Sequence, residues 1–409
     1  MAHASDCLRP LSAVRQTAAA ASLCGALGVI AVFKWMGSEN AAFCLVTVAV
    51  FIALPHVSLV LASWEDVAPK YNARPNPWRR VGIKLYGQLG LFAAVALAYF
   101  VFQGFSQTYL TPLYDFGGNL VLLVLIATVP YLWITDQRMS EPEDGLYHTG
   151  QLLLGQLQAT DFVLLRQYLL SWVVKGFFGP LMAGFALSDM RWFLELPLSS
   201  GLRTPTDIFD AAYRMIYFVD VVFAVTGYLC TFRLLNSQIR STEPTMLGWV
   251  VCLLCYPPFW NVFSNNFLNY DGGHDWMHWF ANSSSIWLFW AALIIVSTLV
   301  YAWATISFGI RFSNLTNRGI LTNGPYRWMK HPAYVAKNFS WWLIAMPFMN
   351  SSGLGNAIRD CAALALLNCI YYLRAKTEER HLSGDADYVA YCSWMETHSL
   401  YAKIKRRFT

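Results

Sequence analysis

Residues 284–308 read SSIWLFWAALIIVSTLVYAWATISF, a run of 25 residues without a charged side chain. A helix needs about 20 mostly apolar residues to cross about 30 Å of hydrocarbon, so this run predicts a transmembrane helix. Similar apolar runs recur along the chain and predict about ten spans in all. They lie at 17–35, 41–63, 85–105, 118–135, 161–187, 207–230, 245–263, 284–308, 333–350 and 355–374.

The composition of the whole chain also indicates a membrane protein. Of its 409 residues, 56% are hydrophobic and only 13% are charged, whereas soluble domains carry about 25% charged residues. So little charge cannot cover the surface of a soluble protein of this size. It also excludes a disordered chain, a coiled coil and a nucleic-acid binder with a broad basic face. The nine cysteines lie mostly in apolar runs, which predicts buried thiols rather than disulfides.

Lysine and arginine residues in the predicted loops set the orientation of the spans, because cytoplasmic loops carry an excess of them. These residues concentrate after spans two, six and eight and in the C-terminal tail. With ten spans, all four segments fall on one side, together with Arg9 and Arg15. We therefore predict an all-α, polytopic transmembrane bundle of about ten spans with both termini in the cytoplasm. The protein is then a multi-pass protein of a plasma or inner membrane or of the endoplasmic reticulum.

Ionisable residues inside the predicted spans are costly and mark either helix contacts or a functional cavity. Span five contains Lys175, and span six contains Asp210, Arg214 and Asp220. One interpretation pairs Lys175 with Asp220, or Arg214 with Asp210, to fix the register of neighbouring helices. The other places Asp220 in a polar cavity that receives a substrate head group, which makes it a candidate substrate-binding residue. Both interpretations stay open.

The predicted loop after span seven contains the sequence NYDGGHDWMHW at 269–279. On a helix, His274 and His278 would share a face at the spacing of a metal pair. A third ligand is not evident, and the tryptophans favour an aromatic cap at the outer membrane surface. We therefore predict no metal site.

A polar segment at 317–334 lies at the predicted cytoplasmic mouth of span nine and reads NRGILTNGPYRWMKHPAY. Pro332 suits the first turn of the following helix. His331 then sits at the helix start, where a ring nitrogen or free backbone N–H groups can meet an anionic group. The competing interpretation is a cationic anchor on the cytoplasmic side, and charge alone does not exclude it.

A second polar cluster closes span ten and reads RAKTEERHL at 374–382. On a helix, Arg374 and Glu378 are four residues apart and share one face. The hairpin of spans nine and ten brings both clusters to the same side of the membrane. Together they predict a site with donors, acceptors and aromatic faces at the membrane surface.

These two clusters, in this order, resemble the isoprenylcysteine carboxyl methyltransferase family and related membrane methyltransferases. The motif of that group runs Gly-Pro-Tyr-Arg, a short gap, then Arg-His-Pro-x-Tyr, and a later helix ends in Arg, acidic residues and Leu, followed by Tyr residues. The resemblance covers roughly residues 285–400. Gly324–Arg327 and His331–Tyr334 match the first part, with Lys330 in place of the usual arginine. The second part is matched by Arg374, Glu378, Glu379, Leu382, Tyr388 and Tyr391.

The resemblance implies methyl transfer from S-adenosylmethionine to a lipid, or to a lipidated small molecule or protein, at the cytoplasmic membrane face. It implies cofactor-binding roles for four residues: Tyr326, His331, Tyr334 and Glu379. It implies that the catalytic pair nearest the reacting groups is Arg374 and Glu378.

Two departures from the family pattern concern the acceptor. Lys337 lies within the first turns of span nine, where the family often has a small residue. It is a candidate substrate-binding residue for a phosphate or carboxylate, or it snorkels to the membrane surface. Thr377 stands where an acidic residue is common, so the acceptor need not be a prenylcysteine.

Two other functions stay open. A sterol-reductase-like enzyme would use NADPH, and the ten spans and Tyr391-Cys392 favour it. A non-catalytic transporter or lipid-binding protein is favoured by the charges in spans five and six. In the methyltransferase interpretation, residues 1–240 form an N-terminal transmembrane bundle that serves as a substrate chamber. Residues 241–409 form the C-terminal methyltransferase-like domain with the cytoplasmic cofactor site.

Overall fold

The computed structural model shows an almost entirely helical protein, and the predicted all-α class is confirmed. Two short strands in the described residues, β1 (Ser241–Thr242) and β2 (Thr316–Asn317), form an antiparallel pair. The structure describes residues 8–62, 74–102, 104, 124–197, 202–268, 270, 274–281 and 283–408. Residues 63–73, which include Lys70 of the loop after predicted span two, and the segment between predicted spans three and four lie outside these residues.

In chain order, the helices of the described residues are α1 (Gln16–Trp35), α2 (Ala41–Ala62), α3 (Pro77–Val101), α4 (124–137), α5 (Gly145–Leu153), α6 (Phe162–Glu195), α7 (Pro205–Leu229), α8 (Met246–Leu253), α9 (Phe259–Phe267), α10 (Trp276–Phe280), α11 (Ser284–Ile306), α12 (Pro332–Ala345), α13 (Leu354–Leu382), α14 (Ala386–His398) and α15 (Leu400–Phe408). Within the same residues, five of these helices are long and apolar enough to cross a membrane: α1, α2, α3, α6 and α11.

Local sequence signals determine where two of the long helices begin. Asp161 caps α6 by accepting hydrogen bonds from the backbone N–H groups of Val163 and Leu164. Thr204 and Asp207 form a capping box at the start of α7, with a proline in its first turn. Both arrangements satisfy backbone donors that have no partner within the helix.

Two predicted spans differ from the observed helices. The span predicted at 245–263 is interrupted, because α8 ends at Leu253 and α9 begins only at Phe259. Pro257 and Pro258 lie in the break, and a proline in a helix interior removes a hydrogen bond and clashes with the preceding turn. The span predicted at 333–350 is the 14-residue helix α12, which is about 21 Å long at 1.5 Å per residue.

Neither ion pair predicted within the spans forms. The ammonium group of Lys175 lies 4.0 Å from the ring centroid of Trp172, whereas Asp220 accepts a hydrogen bond from the Tyr301 hydroxyl at 2.7 Å. A cation over an aromatic ring gains electrostatic stabilisation without a carboxylate partner.

Arg214 does connect two neighbouring helices, but through a different acid. Its Nε donates to Asp189 of α6 at 2.9 Å rather than to Asp210. The guanidinium also stacks 4.3 Å above the ring of Trp192. The sequence places Asp210 one turn from Arg214 on the same helix, so only the packing of α6 against α7 shows which acid is the partner.

Arg318, in the loop after β2, joins the C-terminal end of α7 to the segment that leads into the site. Its guanidinium is buried and donates to five backbone carbonyls. The acceptors are Gly227 at 2.8 Å, Phe312 at 2.8 Å, Ser237 at 2.7 Å, Ile310 at 2.9 Å and Cys230 at 3.3 Å. Burial lowers the pKa of Arg318 to about 9, so the group stays charged at neutral pH.

The two segments that Arg318 joins approach each other very closely. A Cβ atom at Gly227 would lie 2.5 Å from the carbonyl oxygen of Phe312, which is nearer than such atoms can come. Glycine is therefore required at this position of α7 for the loop to reach it.

We expect Arg318→Lys to destabilise the protein. Lysine offers three donors from one atom, so at least two of the five bonds are lost, at about 1.5–3 kcal/mol for each bond to a charged group. The midpoint of thermal unfolding in detergent should fall by several degrees. Arg327→Lys is the matched control, because Arg327 is exposed and exposed substitutions usually change stability by no more than about 0.5 kcal/mol. Equal midpoints for the two variants would contradict the role given to Arg318.

Candidate functional site

A cavity lies between α8, α11, α12 and α13 and the loop that precedes β2. It contains most of the side chains that the sequence singled out. Six of the eight predicted site residues line it: Tyr326, His331, Tyr334, Lys337, Arg374 and Glu378. The other two lie just behind its wall. Glu379 contacts His331, and Asp220 contacts Tyr301.

Arg374 lies within the cavity wall and is almost fully buried. One terminal nitrogen donates to the side-chain oxygen of Asn314 at 2.7 Å. Three tyrosine rings surround the guanidinium carbon, with centroids at 5.1 Å for Tyr334, 5.5 Å for Tyr256 and 5.8 Å for Tyr371. Ring faces stabilise a guanidinium and also fix its plane, so this arginine has a defined orientation.

Glu378 stands one helical turn after Arg374 on α13, as the sequence spacing predicts. The Tyr334 hydroxyl donates to its Oε2 at 2.8 Å. The Glu378 side chain is 39% exposed, so its carboxylate reaches the opening of the cavity. The ring of His331 stacks on that of Tyr334 at 5.5 Å and 2°. The start of α12 and the end of α13 thus hold one acid and two aromatic rings in a fixed arrangement.

Glu379 faces away from the cavity and supports His331 from behind. Its Oε1 lies 3.2 Å from Nε2 of His331, and its Oε2 accepts from Lys376 at 2.9 Å. The hydrogen bond from His331 is the largest influence that lowers the pKa of Glu379 to about 2, and Lys376 and Lys330 add to it against the opposing effect of burial. The carboxylate is therefore ionised at neutral pH and available to orient the His331 ring.

Lys337 and Asp220 both contact Tyr301. The ammonium group of Lys337 lies 5.1 Å from the ring centroid of Tyr301 and 5.3 Å from that of Trp341. Asp220 Oδ2 accepts from the Tyr301 hydroxyl, while its buried Oδ1 has no hydrogen-bond partner among the described residues. Because Asp220 belongs to α7, the N-terminal part of the chain contributes to the surroundings of this site.

The turn that carries Tyr326 depends on a glycine and on a tyrosine from α14. Gly324 has a φ of +55°, and a Cβ atom there would lie 2.5 Å from the Ser307 hydroxyl oxygen, so both its conformation and its contact favour glycine. The Tyr391 hydroxyl donates to the Tyr326 carbonyl at 2.5 Å. The Tyr326 ring packs edge-on against Phe308 at 5.6 Å and lines the cavity.

Several residues of the cavity wall were not predicted from the sequence. Tyr256 lies in the break between α8 and α9, and Asn314 lies in the loop before β2. The two prolines after Tyr256 are a local signal of the break. No sequence signal near Asn314 identifies that residue as part of the cavity wall. Glu243 and His381 also line the cavity. Glu243 Oε2 lies 4.0 Å from His381 Nδ1, and the hydroxyl of Ser241 in β1 lies 2.9 Å from His381 Nε2.

The loop with two histidines forms no metal centre in the described part of the chain. The rings of His274 and His278 stack 3.7 Å apart, although only His278 lies on α10 and His274 precedes that helix. Among the described residues, no group of three His, Cys, Asp or Glu side chains is placed to hold a metal ion. Cys252 and Cys255 are free thiols.

The motif residues that converge on the cavity can be compared with known families. Residues 286–384 match the isoprenylcysteine carboxyl methyltransferase (ICMT) family. The match confirms the resemblance inferred from the two polar clusters, and it indicates a membrane methyltransferase domain that runs from α11 to the end of α13. Comparison with curated proteins and with solved structures gives no match. Asp220, Glu243 and Tyr256 lie outside the matched segment.

Proposed function

We propose that this protein is an integral-membrane methyltransferase that takes its methyl group from S-adenosylmethionine. Its acceptor is a lipid or a lipidated molecule at the cytoplasmic membrane face. The observation that carries the proposal is the convergence of His331, Tyr334, Arg374 and Glu378 on one cavity within the segment that matches the ICMT family.

The chemistry of the cavity wall suits this cofactor. His331 is the N-cap residue of α12 and makes no side-chain cap, so N–H groups of the first turn are free to bind the methionine carboxylate. The carboxylate of Glu378 and the surrounding tyrosine faces suit the sulfonium cation. When bound, S-adenosylmethionine supplies an electrophilic methyl group. Tyr326 and Tyr334 supply aromatic surface, and Glu379 keeps His331 in place.

Arg374 and Glu378 act on the acceptor in this proposal. The Asn314 contact uses one donor of Arg374, and the remaining N–H groups can orient an oxygen of the acceptor by charge-assisted hydrogen bonds. A carboxylate acceptor is already nucleophilic and needs no base. An amine or hydroxyl acceptor needs one, and Glu378 then takes the proton on a carboxylate oxygen. Holding the acceptor in line with the methyl carbon supplies most of the remaining acceleration.

Lys337, which lines the cavity, binds the acceptor's polar group, and Asp220 completes this part of the site from behind Tyr301. The unpartnered Asp220 Oδ1 supports this role, because a buried carboxylate oxygen without a donor is costly. Asp220 lies on α7, so we assign residues 1–240 to a transmembrane bundle that forms the substrate chamber and residues 241–409 to the methyltransferase domain.

We further propose about ten spans with both termini in the cytoplasm. The interrupted helix pair α8 and α9 counts as one span, because irregular backbone is tolerated at membrane depth where it lines a cavity, and Tyr256 in the break lines this one. Arg79 and Ala281 then lie on opposite sides. In a background with the other cysteines replaced, labelling of Arg79→Cys and Ala281→Cys should occur from opposite sides. Labelling from one side would refute this topology.

Titration calorimetry on the purified protein tests the cofactor. We expect S-adenosylmethionine to bind and NADPH not to bind. His331→Ala should weaken binding, because loss of a hydrogen bond to a charged group costs about 1.5–3 kcal/mol, or roughly ten- to more than a hundredfold in affinity. Arg327→Ala, an exposed neighbour, is the control and should bind like the wild type. Binding of NADPH alone would support the sterol-reductase-like function, and binding of neither would support a transporter or lipid-binding protein.

Turnover tests the catalytic pair, with radiolabelled methyl transfer to membrane lipid and protein extracts as the assay. Arg374→Lys should lower turnover far more than cofactor affinity, because lysine keeps the charge but loses the planar fork. Asn314→Leu should act in the same direction by releasing Arg374. Arg359→Lys, at the other end of α13, should leave turnover unchanged. Near wild-type turnover in Arg374→Lys would remove this pair from the active site, and no labelling by the wild type would count against methyl transfer.

A further inference from the structure

The C-terminal helix α15 has an apolar face that the described chain leaves uncovered. Leu400, Tyr401 and Ile404 are 46%, 75% and 47% exposed. At about 100° per residue they lie within one arc of roughly 100° on the helix surface. Such a face in contact with water would be unfavourable, so it indicates a partner.

Cations flank this face. Residues 400–408 contain Lys403, Lys405, Arg406 and Arg407 and no acidic residue. Arg406 donates to the carbonyls of Thr397 and Ala402 and so braces the helix. The other three stand at the edges of the apolar face. A helix with an apolar face between flanking cations is typical of segments that lie in the interface of an anionic membrane.

An apolar groove of about 510 Å³ runs beside α15, between it, α14 and the start of α12. Its lining includes Leu400, Ile404, Val335 and Lys330. Val335 and Phe339, one helical turn apart on α12, are 55% and 52% exposed. The groove therefore continues onto an apolar outer surface of α12.

The same region is attached to the proposed active site. The backbone N–H of Leu400 donates to the carbonyl of Trp328 at 2.9 Å, and Tyr391 of α14 donates to the carbonyl of Tyr326. Trp328 and Tyr326 belong to the turn that leads to His331. Helices α14 and α15, which border the groove, are therefore each joined to that turn by a direct hydrogen bond.

We propose that α15 and this groove bind an anionic phospholipid of the adjacent leaflet. Its phosphate lies beside Lys403 and Arg407, which are one helical turn apart on α15, and an acyl chain follows Val335 onto α12. Charge complementarity selects this occupant: α15 carries four cations and no acidic residue, and the groove beside it is lined by one cation, Lys330, and one acid, Glu396. The assignment does not depend on methyl transfer.

Photo-crosslinking tests the site in the full-length protein. A photoreactive phenylalanine analogue replaces Tyr401, and the protein is placed in phosphatidylcholine nanodiscs with rising fractions of phosphatidylglycerol. Mass spectrometry then identifies the lipid attached. We expect phosphatidylglycerol to be crosslinked well above its fraction in the disc. In the Lys403→Gln/Arg407→Gln variant, the half-saturating fraction should rise roughly fivefold for each cation removed.

The matched control is Arg9→Gln/Arg79→Gln, which removes two exposed cations from the same proposed side and should leave the half-saturating fraction unchanged. Helical circular dichroism establishes that each variant is folded. Crosslinking of phosphatidylglycerol only in proportion to its fraction would overturn the proposal. So would an equal shift in the control, which would indicate a general surface potential, or crosslinking to a second copy of the chain.

Discussion

The position of the candidate site depends on one buried arginine. Arg318 replaces the missing helical partners at the end of α7 by donating to Gly227 and Cys230. The same two terminal nitrogens also donate to Phe312 and Ile310, and Nε donates to Ser237. A cation at a helix C-terminus is also favoured by the helix dipole. Because a buried guanidinium is tolerable only with its donors satisfied, these five carbonyls must come together when the protein folds.

The consequence for the site follows through two further contacts. The Tyr228 hydroxyl, next to Gly227, accepts from the backbone and side-chain nitrogens of Asn314 at 3.0 and 3.1 Å. Asn314 in turn accepts from Arg374. The Arg374 guanidinium, which faces the cavity, belongs to α13, but these contacts fix its position relative to α7. The segment that matches the ICMT family does not form its site alone, because Asn314 is held by the end of a helix outside that segment.

Residues that are close in sequence could be predicted to act together, and distant ones could not. The spacing of Arg374 and Glu378 on one helix fixes a shared face whatever the fold. His331 and Tyr334 likewise follow from a proline at a helix start.

Contacts between side chains on different helices could not be predicted from the sequence, because several residues could serve as the partner of each charged side chain. Asp189 rather than Asp210 binds Arg214, and Lys175 is stabilised by Trp172 instead of an acid. Only the packing of the helices selects among such partners. The interrupted span was different: Pro257 and Pro258 already argued against a continuous helix at 245–263.

The remaining polar groups within the membrane region explain why the N-terminal bundle matters to the proposed function. Asp220 and Lys337 both contact Tyr301 and do not form an ion pair, and only one oxygen of Asp220 accepts a hydrogen bond. If Asp220 and Lys337 served stability alone, a direct ion pair or apolar side chains at these positions would stabilise the protein more. An incompletely satisfied acid beside a cavity is instead suited to a ligand that brings a donor. The acceptor's polar group meets that need in the proposed enzyme, so recognition of the acceptor draws on α7 and methyl transfer draws on α12 and α13.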